Sequence, residues 1–182
     1  MYAVEPNDAM RREAERLLES NPLFQSLSGT AESVPLPDAS VDLITVGQAV
    51  HWFDAYRSRQ EFDRILKPGG WMAFYSIKIS EQPWFTELRQ LLTMPPDLGT
   101  GTAPSAYLSG TECKNFSFEN TIWESWERFI GGARSAGSAP DPRNPAYSDF
   151  ESIHRKVFET HSVEGLLEIV YSTHVDVGLF PK

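Results

Sequence analysis

The fold is decided by residues 41–52, which read VDLITVGQAVHW. The first six residues are mostly apolar and β-prone, as expected of a strand that is buried on both faces of a parallel sheet. The change to glycine and polar residues marks the end of that strand. Because open α/β sheets bind ligands at the carboxyl ends of their strands, we expect Gly47, Gln48 and Ala49 to lie at a ligand-binding edge.

The rest of the first half alternates between strand and helix patterns. The predicted elements are a strand at 2–4, a helix at 9–19, strands at 24–27 and 41–46, a helix at 54–66 and a strand at 71–77. Asn7 or Asp8 caps the first of these helices, and the turn KPGG at 67–70 ends the second. This alternation predicts an α/β fold with a parallel sheet and crossover helices.

The second half is less regular. Its predicted elements are a helix at 85–92, a loop at 94–110, a strand at 116–122, a helix beginning within 123–129, a connection at 135–147, a helix at 150–161 and a final strand at 166–177. The run GTGT at 99–102 lacks a preceding strand and a following helix, so we interpret it as loop. Trp123, Trp126 and Phe129 have helical spacing, which favours core or lid packing.

Composition limits the kinds of partner. The 182 residues, 41% hydrophobic and 23% charged, are typical of one soluble globular domain. A net charge of -9 argues against binding to nucleic acid or to an anionic membrane, and no apolar run is long enough to span one. The single cysteine, Cys113, excludes an internal disulfide, and the histidines show no metal-ligand spacing. We expect a cytoplasmic protein without a metal.

Four segments in order resemble class I S-adenosylmethionine-dependent methyltransferases of the type 11, small-molecule kind. They are YAVEPN at 2–7, GTAE at 29–32, DLITVGQAVHWF at 42–53 and ILKPGG at 65–70. The strand YSTHV at 171–175 also fits, so the likeness extends over nearly the whole chain. It implies a Rossmann-like, mostly parallel sheet with an antiparallel strand near the C-terminus. It also implies one domain over 1–182, with a variable acceptor or lid region at about 94–147.

The same resemblance implies that the cofactor is S-adenosyl-L-methionine. The implied binding residues are Glu5, Asn7, Met10, Thr30, Ala31, Glu32, Gly47, Gln48 and Ala49. Glu5 would accept hydrogen bonds from both ribose hydroxyls, although a carboxylate there could instead serve the helix N-terminus. Met10 would flank the adenine or pack in the core. Ala31 and Glu32 would contact the adenine edge, or Thr30 would cap a short helix there.

His51 and Trp52 follow the central strand, where related enzymes line the methyl-transfer site. A histidine imidazole can act as a general base, so His51 could take a proton from the methyl acceptor. The indole of Trp52 could face the sulfonium through its π cloud. The alternatives are a structural histidine, a core tryptophan and a reaction that needs only positioning of its two reactants.

The family pattern opens with a strand and a Gly-x-Gly turn that nothing ahead of Tyr2 supplies. In the family's sheet this strand lies between the second and the fourth. We therefore expect a truncated, N-terminally incomplete domain in which 2–5 and 41–46 have unpaired edges inside the core, at about 1–3 kcal/mol per buried group. Either the two strands pair, or a partner chain supplies the missing strand, or the chain is poorly stable.

The resulting prediction is S-adenosylmethionine-dependent methyl transfer to an unidentified small-molecule acceptor, with the activity of this chain left open. The alternative is a non-catalytic methyltransferase-like fragment that acts as an interaction module or is a remnant. A nicotinamide-dependent oxidoreductase would share the acidic Glu5 after its second strand. The segments GTAE at 29–32 and QAVHW at 48–52 fit the methyltransferase pattern better.

Overall fold

The computed structural model describes residues 1–93, 103–136 and 139–181, so the predicted loop at 99–102 lies outside the described residues. The strands are β1 (Tyr2–Val4), β2 (Gln25–Leu27), β3 (Val41–Gly47), β4 (Leu66–Ile79), β5 (Cys113–Glu124) and β6 (Leu167–Leu179). The helices are α1 (Asp8–Leu18), α2 (Ala55–Ile65), α3 (Pro83–Leu91), α4 (Ser105–Leu108), α5 (Trp126–Ser135) and α6 (Ala146–His161), with a short 3₁₀ helix at Val50–Trp52. Across the described ranges, every helix is too short or too polar to span a membrane.

The described strands form two sheets, β1-β2 and β3-β4-β6-β5. The first pair and the β3-β4 pair are parallel. The Phe180 amide donates to the Gly70 carbonyl, whereas the Ser80 amide donates to the Val170 carbonyl. Since one partner rises along the chain as the other falls, β4 and β6 run antiparallel. The predicted α/β class, with parallel strands and an antiparallel strand near the C-terminus, is confirmed.

The predicted unpaired edges are present among the described strands, since β1 and β3 each have one neighbour, but the expectation that these edges are buried in the core is wrong. Among the described residues β1 pairs with β2 and β3 with β4, and the two pairs belong to separate sheets. Tyr2 in β1 is 45% exposed and Leu43 in β3 is 51% exposed. Water can therefore reach these strands and satisfy their backbone groups, so the cost of burial does not arise. A strand supplied by a partner chain stays a prediction.

Three predicted boundaries also need correction. The short helix α4 lies within the predicted loop at 94–110. Trp123 belongs to strand β5, and α5 begins only at Trp126, because Ser125 has an extended backbone that separates them. The turn KPGG at 67–70 is part of the long strand β4, where Gly69 adopts φ +76°. Only glycine takes that conformation without strain.

The chain forms two compact units, each with its own core. The described part of the first covers 1–76, 103–116 and 175–181, and its most buried large side chains include Leu66, Met72 and Tyr107. The described part of the second covers 77–93, 117–136 and 139–174. Its core gathers Trp84, Phe129, Val157, Phe158 and Leu167 from α3, α5, α6 and β6. All predicted site residues lie in the first unit.

Candidate functional site

Glu5 lies directly after β1, beside the end of β2. Its backbone amide donates to the Leu27 carbonyl at 3.1 Å. Its carboxylate Oε1 accepts from the Asn7 amide at 2.8 Å, and Asn7 Oδ1 accepts from the amides of Ala9 and Met10. Asn7 is thus the cap of α1, one of the two predicted possibilities. The Glu5 carboxylate lies at a helix N-terminus and also at the carboxyl edge of β1, so both interpretations of this residue fit its position.

The segment after β2 is a tight turn. Thr30 and Ser33 exchange backbone hydrogen bonds of 3.1 and 3.2 Å, which places Ala31 and Glu32 at the tip. The alternative of a helix start capped by Thr30 is therefore wrong. The backbone amides of Ala31 and Glu32 make no hydrogen bond within the described residues. Both N–H groups remain available to water or to a ligand.

Gly29 brings this turn against β1. A Cβ at Gly29 would lie 2.9 Å from both Pro35 Cδ and the Ser33 carbonyl oxygen, and 3.2 Å from Val4 Cγ1. These distances are too short for any residue with a side chain. The turn tip and the end of β1 consequently lie at the same edge.

Glu32 joins the turn to the start of α2. Its Oε1 accepts from the Asp54 amide at 2.9 Å. Asp54 is the N-cap of α2, since its Oδ1 accepts from the amides of Tyr56 and Arg57 at 3.1 and 3.0 Å. Ala31 and Ala49 pack against the same core cluster. The predicted residues of the turn and those after β3 thus meet around one core.

The end of β3 has a structural reason for glycine in addition to the predicted ligand-binding role of this edge. A Cβ on Gly47 would overlap the ring of Tyr75, its partner in the β3-β4 register. Glycine at 47 therefore makes room for this tyrosine, which the sequence analysis missed; the strand register is the signal that could have revealed it. The next residue, Gln48, has φ +52°, a strained backbone conformation that is frequent at functional sites.

Several predicted residues stand outside the core. Met10 is 62% exposed and Trp52 76% exposed, so the core interpretation of each is wrong. His51 is exposed as well, with its ring centroid 5.1 Å from that of Trp52. An open cleft of about 310 Å³ contains none of the predicted residues. It is lined by Tyr56, Arg59, Gln60, Asp63, Phe180 and Pro181.

The parallel strand pairs, the capped crossover helix and the polar residues at strand ends define a Rossmann-like α/β protein. The profile of the methyltransferase domain family Methyltransf_11 matches residues 1–74. Residues 1–74 are therefore similar to the class I S-adenosylmethionine-dependent methyltransferases, the family that the sequence motifs predicted.

Proteins named as methyltransferases are similar to a part of this chain. An uncharacterized methyltransferase of Schizosaccharomyces pombe is 42% identical over 65 residues, which are 35% of this chain and 26% of that protein. An uncharacterized methyltransferase of Mycobacterium bovis is 39% identical over 72 residues, covering 39% of this chain and 30% of the relative. The matches to these two curated relatives therefore span between a quarter and a third of their length.

The whole chain superposes on solved structures at low identity, which shows the fold. YcgJ of Bacillus subtilis has a TM-score of 0.58 at 17% identity, covering 100% of this chain and 82% of that one. A provisionally assigned type II methyltransferase of Anaeromyxobacter dehalogenans has a TM-score of 0.65 at 20% identity, with coverages of 100% and 81%.

Proposed function

We propose that the chain binds the adenosine half of S-adenosylmethionine and takes part in methyl transfer to a small-molecule acceptor. The observation that carries this proposal is the pair of amides at Ala31 and Glu32 that no described residue bonds, in a turn whose Gly29 packs against Val4, the residue before Glu5. Adenine ring nitrogens accept hydrogen bonds from amides, and ribose hydroxyls donate to a carboxylate. The donor and acceptor set at this edge fits both parts of an adenosine.

The residues after β3 would serve the reaction itself. When bound, S-adenosylmethionine supplies a methyl group on a positively charged sulfur. His51 would accept the proton that the acceptor releases, and its exposure lets it pass that proton to water. The exposed ring of Trp52 would line the acceptor side, where an aromatic face favours positive charge.

The test is calorimetric titration of the protein with S-adenosylhomocysteine. We expect one saturable site, and Glu5→Gln should weaken binding by about tenfold because the neutral amide accepts ribose hydroxyls less strongly. The glutamine still accepts from the Asn7 amide, so the start of α1 is retained. Glu13→Gln, an exposed carboxylate change on α1, is the matched control and should bind normally.

Two results would contradict the proposal. Absence of saturable binding by the unsubstituted protein would favour the non-catalytic alternative. Equal binding by Glu5→Gln and Glu13→Gln would keep the site but remove Glu5 from it. A second titration of the full gene product, with any segment that precedes residue 1, separates loss of a contributed strand from absence of a site.

A further inference from the structure

The guanidinium of Arg64 joins the first part of the loop between β2 and β3 to the end of α2. Further along the same loop, the amides of Ala39 and Ser40 donate to the carbonyls of Arg64 and Ile65. Arg64 Nη1 donates to the Leu36 carbonyl at 2.8 Å and to Asp38 Oδ1 at 2.7 Å. Its Nη2 donates to the Val34 carbonyl at 3.0 Å and to Glu61 Oε1 at 2.7 Å, and Nε donates to Glu61 Oε2 at 2.9 Å. An arginine has five N–H donors, so every one is used.

Glu61 completes the same attachment. Its Oε1 accepts from the Val34 amide at 2.6 Å, and its side chain is only 13% exposed. The hydrogen bonds from Arg64 hold the pKa of the Glu61 carboxyl below its usual range. The hydrogen bonds that Arg64 donates to Glu61 and Asp38 raise the pKa of its guanidinium. Both groups of the pair therefore stay charged at neutral pH.

This attachment begins one residue after the turn that carries the proposed adenine contacts. Val34 follows Ser33, the residue that closes the turn, and is itself 7% exposed in the core. On the other side, Glu32 is bonded to the amide of Asp54 at the opposite end of α2. The turn is consequently anchored to both ends of one helix, which limits the positions its tip can adopt.

We propose that Arg64, oriented by Glu61, is a positioning residue that sets the Thr30–Ser33 turn for recognition of adenine. This inference rests on the proposed function, because it assigns the turn the adenine edge of the cofactor. Arg64 itself acts through Val34 and touches no ligand. Lysine could not replace it, since an ammonium group has three donors and lacks the planar fork that reaches two carbonyls and two carboxylates together.

Amide hydrogen exchange tests whether the pair holds the turn. The exchange of the Thr30 and Ser33 amides, both bonded within the turn, should become about tenfold faster in Arg64→Lys, since weaker anchoring opens these hydrogen bonds more often. Arg57→Gln, an exposed change on the same helix, is the control and should leave both rates unchanged. Glu61→Gln, which can still accept from the Val34 amide, provides a second variant if Arg64→Lys does not fold. Unchanged exchange in a folded variant would overturn the inference.

A comparison of two ligands tests the adenine role. S-inosylhomocysteine carries N1–H where S-adenosylhomocysteine has an acceptor nitrogen, so a fixed backbone amide should discriminate between them. The unsubstituted protein should prefer the adenosine compound at least about tenfold, and Arg64→Lys should lose most of that preference. A purely structural loss would weaken both ligands alike and leave the ratio unchanged.

The outcomes separate the two proposals. Binding of neither ligand by the unsubstituted protein overturns the proposed function and the adenine role with it. Normal binding by the unsubstituted protein with an unchanged ratio in Arg64→Lys overturns only the role of Arg64. Reduced discrimination together with faster exchange of the turn supports both.

Discussion

Helices α1 and α2 have the same length and the same kind of start but differ in what they bury. Each has 11 residues, and an acceptor side chain, Asn7 or Asp54, accepts from two backbone amides at its N-terminus. Helix α2 buries Phe62, whereas no residue of α1 is buried. Local signals are therefore sufficient to place both helices, while the packing that stabilises them is set by the rest of the fold.

The largest contrast is expected from truncating one apolar side chain on each helix. Phe62 is 3% exposed, and Phe62→Ala should cost about 3–5 kcal/mol of unfolding free energy through lost burial and a cavity. Leu17 is 62% exposed, so Leu17→Ala should change stability by about 0.5 kcal/mol or less. Urea denaturation measures both. A large loss of unfolding free energy in Leu17→Ala would contradict this contrast, because it would mean that α1 is covered in solution.

A buried hydroxyl pair between α2 and α4 gives the next effect. Ser58 and Tyr107 are both fully buried, with their hydroxyl oxygens 2.7 Å apart, and Ser58 Oγ donates to the Asp54 carbonyl. Tyr107 must then donate to Ser58. Ser58→Ala leaves the phenol unpaired and should cost about 1–3 kcal/mol, more than Tyr107→Phe, which leaves Ser58 bonded. A double-mutant cycle measures the coupling; equal losses in the two single variants would contradict this assignment of the donor.

The two helices also show what the sequence could reveal. Asn7 is a short-range signal, and the helix next to it was predicted within one residue, whereas the predicted turn KPGG at 67–70 belongs to strand β4. The exposure of Met10 and Leu17 depends on whether distant parts of the chain pack against α1, and a local sequence pattern carries no information about such packing. The same limit applies at the site. The segment GTAE at 29–32 was recognised from its sequence. The roles of Tyr75 and Arg64 were not predicted, because they depend on the register of β3 with β4 and on the loop that folds back onto α2.

Removing each helix cap is expected to have an intermediate effect. Asn7→Ala and Asp54→Ala each lose two hydrogen bonds from backbone amides, worth about 1 kcal/mol. In α2 the loss should lower the global unfolding midpoint, because that helix is part of a core. In α1 it should instead reduce the helical circular-dichroism signal before unfolding, since little packing opposes local fraying. A purely global effect of Asn7→Ala would weaken the contrast.

The smallest expected effect is the pH dependence of stability that two ion pairs contribute, Glu61–Arg64 and Glu13–Arg16, which have the same i, i+3 spacing. Hydrogen bonding to Arg64 lowers the pKa of Glu61, and hydrogen bonding to Arg16 lowers that of Glu13. A carboxyl whose pKa is lower in the folded state contributes stability above its ordinary pKa and loses it as the pH falls through the folded value. The melting-temperature difference between the unsubstituted protein and Glu61→Gln should therefore disappear at acid pH.

Glu13→Gln is the control for this pH dependence, because Glu13 and Arg16 are both more than half exposed. Water and salt screen an exposed pair and leave it little net stability at any pH. Glu61 differs because it also accepts a hydrogen bond from the Val34 amide, and because its partner Arg64 donates to two loop carbonyls as well. A pH-dependent difference of similar size in both variants would mean that charge alone, and not the attachment of the loop, accounts for the behaviour of Glu61.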